Sequence, residues 1–155
     1  MSRISGHTIL ITGASSGIGA ACARRFAAEG AHLVLWARRR DRLDALANEL
    51  AKAHGVKVQV DQVDVRDRAA VEKAARSLLA AGPAPDVLIN NAGLASGLSL
   101  VQEGDLEDWD RMIDTNLKGL LFVTRAVLLS LLQVSQILTN DVAQYRQFLF
   151  GIKVQ

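Results

Sequence analysis

The chain has 155 residues, half of them apolar and 22% charged, with a formal net charge of +2. That length and composition suit one globular domain and exclude a disordered or fibrous chain. The small charge excludes the wide basic stripe of a nucleic-acid binder, since basic residues gather only at Arg38, Arg39, Arg40 and Arg42. One cysteine, Cys22, allows no internal disulfide, so a reducing, cytoplasmic setting is expected. His7, His32 and His54 lack ligand spacing, and no metal is expected.

In chain order, Thr8–Ile11 reads as a strand and Ile18–Glu29 as a helix stopped by Gly30. Leu33–Trp36 is a second strand, and Asp41–Ala53 a helix with Leu43, Leu46 and Leu50 on one face. A third strand over Val56–Val60 leads to a helix over Arg68–Leu79, then a Gly82–Pro85 turn and a fourth strand over Val87–Ile89. Apolar strands with little alternation, separated by amphipathic helices, predict an α/β fold: a doubly wound, Rossmann-type parallel sheet with both faces covered.

Asp105 to Met112 reads as a short helix with Asp105 as its N-cap. Leu117 to Leu132 reads as a long helix, apolar on nearly all sides and therefore expected to be buried, against the sheet on one face and another subunit on the other. Lys118 and Arg125 interrupt it and it is short for a bilayer, so no membrane partner is expected. Beyond it the composition shifts: residues 1–128 hold 22 alanines and three glutamines, whereas the last 27 residues hold one alanine and five glutamines. The expected organisation is a dinucleotide-binding body over 1–132 and a tail of different origin over 133–155. Within the tail, Val134–Leu138 is a candidate fifth strand, and Tyr145 joins Val142, Phe148 and Leu149 on one face of a helix. The sheet is then truncated after about its fourth or fifth strand.

The chemistry-bearing run is Thr12-Gly13-Ala14-Ser15-Ser16-Gly17-Ile18-Gly19, set between a strand and a helix. Such a loop turns tightly, lets the backbone approach a pyrophosphate, and aims helix N–H groups at its charge. Ser15 and Ser16 can add hydroxyl donors. After the second strand, Ala37 removes the acid that grips a ribose 2′-hydroxyl, while Arg38 and Arg39 offer guanidinium forks for a 2′-phosphate. NADP is therefore expected in preference to NAD. Asp64, before Val65, can accept from an adenine amino group or serve only as a turn residue.

These runs, with Asn90-Asn91-Ala92-Gly93 and Asn116, stand in the order and approximate spacing of the short-chain dehydrogenases/reductases, which the chain resembles from about residue 7 to residue 130. The stretch from Asn90 to Leu98, with Asp108-Trp109 and Met112 to Asn116, looks closer still to the NADP-dependent serine/3-hydroxy acid dehydrogenases. The resemblance implies an oxidoreductase that interconverts a small-molecule alcohol and carbonyl by hydride transfer. It implies cofactor contacts at Gly13, Ser15, Ser16, Gly17, Ile18, Gly19, Arg38, Arg39, Asp64 and Val65. Asn90, Ala92 and Gly93 would steady the sheet beside the cofactor.

In that family a tetrad of Asn, Ser, Tyr and Lys moves the proton, and the matching Asn holds a helix kink and a relay water. Asn116 matches it. The sole tyrosine, Tyr145, has Leu149 where a helical partner lysine would stand, and Lys153 lies eight residues on. The chain is thus expected to be a catalytically incomplete oxidoreductase. Alternatives are a non-catalytic module that binds NADP or dimerises, or a defective product of a retained intron or frameshift. A homo-oligomer through the Leu117–Leu132 helix is implied by the family.

Overall fold

The computed structural model describes residues 2–82, 84–97 and 99–128. Its centre is a parallel sheet of four strands: β1 (Thr8–Thr12), β2 (His32–Ala37), β3 (Val58–Gln62) and β4 (Val87–Ile89), in spatial order β3-β2-β1-β4. The connecting helices are α1 (Gly17–Ala28), α2 (Arg40–His54) and α3 (Arg68–Ala81), and α4 (Leu106–Ile113) follows β4. The doubly wound, Rossmann-type fold expected from the sequence is the one observed.

Alternation along the strands sorts the core into two layers, as the period of two in a pleated strand requires. Ile9 and Ile11 of β1 with Leu33 and Leu35 of β2 face α1 and α2, where Ala20, Ala23 and Ala27 meet Leu43, Leu46 and Leu50. Leu10, Val34 and Trp36 face the opposite side, against Val71, Ala75 and Leu78 of α3 and Val123 and Val127. Alanines on the buried face of α1 let that helix lie close to the sheet.

Helix ends follow local chemistry. Asp67 accepts from the Ala70 N–H at 3.0 Å to start α3, and Asp105 accepts from the Glu107 N–H at 2.9 Å to start α4. Gly55 closes α2 in the left-handed region at φ +67°.

Two expectations are corrected. The third strand begins at Val58, not Val56: pairing with β2 starts at Leu33 opposite Val58, while Val56 is buried in the approach to the strand. The helices expected as separate at Asp105–Met112 and from Leu117 are continuous. α4 runs into a π turn, Asp114–Gly119, and then into helix α5, described over 120–128. The sheet-facing side of the Leu117 helix is buried, as expected. Val123 and Val127 are buried, but Leu117, Leu121 and Leu128 are 60%, 62% and 48% exposed. Residues 129–132 of that helix, the candidate strand Val134–Leu138, the Tyr145 helix and the whole proposed tail lie outside the described residues.

Candidate dinucleotide site

The chain leaves β1 for β2 and β3 on one side and returns across it to β4 on the other. At such a reversal the loops leaving adjacent strands diverge and open a crevice at the carboxyl ends of the strands, the usual ligand position in open α/β sheets. Four segments line it: Gly13 to Ser16 after β1, Ala37 to Arg39 after β2, Val63 to Arg66 after β3, and Ala92 to Leu94 after β4, with Thr115 from the π turn.

Thr12 and Asn91 join the first and last of these segments. The Thr12 hydroxyl, buried at the end of β1, accepts from the Asn91 and Ala92 N–H groups, both at 3.0 Å. Asn91 Nδ2 in turn donates to the carbonyls of Thr12 at 3.0 Å and Gly13 at 3.3 Å. The glycine turn is also tied to β2, because the Ala14 N–H donates to the Trp36 carbonyl at 3.3 Å. Close approach explains Gly19: a Cβ there would lie 2.5 Å from both Asn91 Nδ2 and the Gly13 carbonyl oxygen. Gly17 instead opens α1 at φ +56°, and a Cβ there meets nothing within 4 Å. Ser16, the N-cap of α1, makes no side-chain cap bond, and the first turn carries no acidic residue.

On the β2 side, Arg39 reaches the glycine loop, and its Nη2 donates to Ser15 Oγ at 3.1 Å and Ser16 Oγ at 2.6 Å. Arg38 lines the same wall. Arg40 is turned away, its Nε donating to both carboxylate oxygens of Asp44 at 2.9 Å.

On the β3 side, Asp64 is gripped by Arg66 through Nη2 to Oδ2 at 2.6 Å and Nε to Oδ1 at 3.1 Å. These hydrogen bonds, with the charges of Arg66 and Arg38, hold the Asp64 carboxyl below its ordinary range against the opposing effect of burial. Arg66 also donates its main-chain N–H to Asp64 Oδ1 at 3.0 Å, so both carboxylate oxygens are engaged by that one residue.

The structure therefore brings together Gly13, Ser15, Ser16, Arg38, Arg39, Asp64, Val65, Ala92 and Gly93 in one crevice. Gly17, Ile18 and Gly19 stand beside it in the first turn of α1 rather than in its lining, with Ile18 exposed. Asn90 is turned toward α5, where its Nδ2 donates to Thr124 Oγ1 at 2.8 Å. Asn116 sits in the π turn and bonds to the main chain of Leu94. Thr12, Asn91, Leu94 and Thr115 stand within the motif runs but were given no role from sequence, and Arg66 was missed. Arg66 adjoins the motif residue Val65, and a charged residue beside a strand end was the available signal.

Comparison with known proteins follows the same outline. The family described as short chain dehydrogenase matches residues 7–138. The NADP-dependent 3-hydroxy acid dehydrogenase YdfG of Salmonella typhi is 49% identical over 120 residues, covering 77% of this chain and 47% of that protein. The serine 3-dehydrogenase of Agrobacterium fabrum is 44% identical over 147 residues, covering 93% of this chain and 57% of that one. A solved serine dehydrogenase in a closed form complexed with NADP+ superposes with a TM-score of 0.74 at 43% identity, over 81% of this chain and 49% of the other. The chain spans about half the length of the relatives it matches.

Proposed function

Because this chain belongs to the short-chain dehydrogenase family, we propose that its crevice binds the adenosine 2′-phosphate half of NADP. The observation that carries this reading is the wall after β2, where Ala37 supplies no carboxylate and Arg38 and Arg39 line the crevice. A dianionic 2′-phosphate suits two guanidinium groups, whereas the 2′-hydroxyl of NAD finds no acid there.

The glycine loop fits the rest of the nucleotide. The open side of Gly17 and the uncapped first turn of α1 suit a pyrophosphate, with Gly13, Ile18 and Gly19 shaping its bed. Asp64 and Val65 would receive the adenine, its amino group sharing the Asp64 carboxylate with Arg66. Ala92 and Gly93 would border the nicotinamide side, with Asn90 steadying them from α5.

The cofactor supplies the hydride, and the reaction class is interconversion of a small alcohol and a carbonyl. Asn116 is the tetrad member that we assign to catalysis, as the holder of the relay geometry beside Leu94. For these residues, the role proposed is cofactor binding, with Asn116 as their contribution to proton transfer. The body over 1–132 carries the binding, and 133–155 is a tail of different origin. The leucines exposed on α5 support pairing with another copy through the Leu117–Leu132 helix. The free Cys22 suits a cytoplasmic setting.

Calorimetric titration with NADPH, NADH and 2′,5′-ADP tests the proposal, followed by turnover assays with serine and 3-hydroxy acids. Binding of 2′,5′-ADP with NADPH favoured over NADH is expected. Equal affinity for the two dinucleotides would refute the 2′-phosphate reading, and no binding of any of the three ligands would refute the dinucleotide site itself.

A further inference from the structure

Arg39 does not reach into open solvent: it is braced. Its Nη2 donates to Ser16 Oγ at 2.6 Å and Ser15 Oγ at 3.1 Å, and its Nε also points at Ser15 Oγ, at 3.3 Å. The two serines belong to the glycine loop after β1 and the arginine to the loop after β2, so the contact spans the crevice wall. Neighbouring arginines differ. Arg40 is committed to Asp44, and the Arg38 side chain makes no hydrogen bond among the described residues.

We propose that Ser15 and Ser16 are positioning residues for cofactor selectivity: they hold the Arg39 guanidinium where a 2′-phosphate arrives. This rests on the dinucleotide reading above and assigns the serines a task distinct from contact with the pyrophosphate.

The chemistry of the donors carries the argument. Guanidinium has five N–H donors and no acceptor, so both serine oxygens accept from it and their own O–H protons turn elsewhere. Held on its Nε and Nη2 side by the serine oxygens, the guanidinium keeps Nη1 without a hydrogen bond among the described residues, so its N–H groups can donate to an arriving anion. A guanidinium fixed in this way favours a multiply charged oxyanion over a neutral hydroxyl. A long side chain fixed before binding also loses less freedom when the ligand arrives. Ser15 is half-buried and Ser16 exposed, so removing their hydroxyls leaves the core intact.

The test uses the full chain and the affinity ratio for NADPH over NADH, two ligands that differ only in the 2′-phosphate. Wild type, Ser15→Ala/Ser16→Ala, Arg39→Ala and the triple variant are compared by calorimetry, with folding of each checked by circular dichroism. The double serine change is expected to lower the ratio roughly tenfold, as loss of charge-assisted hydrogen bonds does. The same change should add little in the Arg39→Ala background, because the serines act through Arg39. Ser15→Thr/Ser16→Thr, which keeps both hydroxyls, should restore most of the ratio. Equal losses for NADPH and NADH would overturn the proposal in favour of pyrophosphate contact or a structural role. A serine effect that persists without Arg39 would overturn it too, as would Arg39→Ala tightening both ligands, which would make Arg39 an obstruction. Failure of the wild type to bind either dinucleotide would overturn the underlying reading, whereas binding without serine–arginine coupling overturns this one alone.

Discussion

Asn116 and Leu94 hold each other through a closed pair of hydrogen bonds: the Leu94 N–H donates to Asn116 Oδ1 at 2.9 Å, and Asn116 Nδ2 donates to the Leu94 carbonyl at 2.8 Å. A side-chain amide here copies the pairing of a neighbouring strand. It fixes the loop after β4 at the point where that loop forms the crevice edge. Asn116→Ala removes both bonds, and because the site is partly solvated the expected cost is about 1 kcal/mol. Urea denaturation measures it, and faster hydrogen exchange at the Leu94 amide should accompany it. An unchanged midpoint and unchanged exchange would mean that the loop is held by other contacts.

Gly19 and Gly17 should respond in opposite proportion to alanine. At Gly19 the new methyl collides with Asn91 Nδ2 and the Gly13 carbonyl, and overpacking of this kind costs about 1–3 kcal/mol. At Gly17 space is open, and the left-handed backbone alone adds about 1 kcal/mol. Thermal melts of the two variants should therefore rank Gly19→Ala as the less stable. The reverse order would contradict the packing seen between the glycine loop and Asn91.

Acid should erase what Asp64 contributes. Its folded-state pKa is depressed, chiefly by the hydrogen bonds from Arg66. The stabilisation is therefore complete above the unfolded carboxylate pKa of about 4 and fades as pH falls through the lower folded value. Asp64→Asn should cost about 0.5–1 kcal/mol at pH 7, the scale of a partly exposed pair. The gap from wild type should close toward pH 2. A gap that stays constant with pH would assign the effect to shape rather than charge.

The exposed stripe of Leu117, Leu121 and Leu128 on one side of the helix predicts self-association. Sedimentation velocity should show mass rising with protein concentration, and Leu121→Glu should suppress the rise while leaving the unfolding midpoint within about 0.5 kcal/mol of wild type. A monomer at all concentrations would leave that stripe without a partner copy.

Much of this was legible from sequence for physical reasons. Buried parallel strands are short apolar runs, and the carboxyl ends of β1 and β2 are followed directly by glycines and arginines. The start of β3 was misread because Val56 is apolar and buried like a strand residue, although its neighbour Lys57 donates its N–H to His32 Nδ1 at 3.2 Å before the ladder begins. The π turn was legible only through the resemblance, which implied a helix kink at Asn116; residue types alone do not show it, because widening a helical turn by one residue needs no special residue type. Gly119 fits the close packing there, since a Cβ would lie 2.7 Å from Val65 Cγ2. The brace between Arg39 and Ser16 was hidden because it joins residues 23 apart in sequence, a distance only the paired strands close.

Trp36 gives the molecule an indicator lamp beneath its own ligand site. The indole is fully buried, its Nε1 donates to Asp61 Oδ2 at 3.2 Å, and its carbonyl carries the first residue beyond Gly13. The other tryptophan, Trp109, lies half-buried on α4. Emission from Trp36 should be blue-shifted and shielded from acrylamide, with Trp109 the quenchable component. A Trp109→Phe chain would then report through a single fluorophore whether the glycine loop moves when a nucleotide arrives.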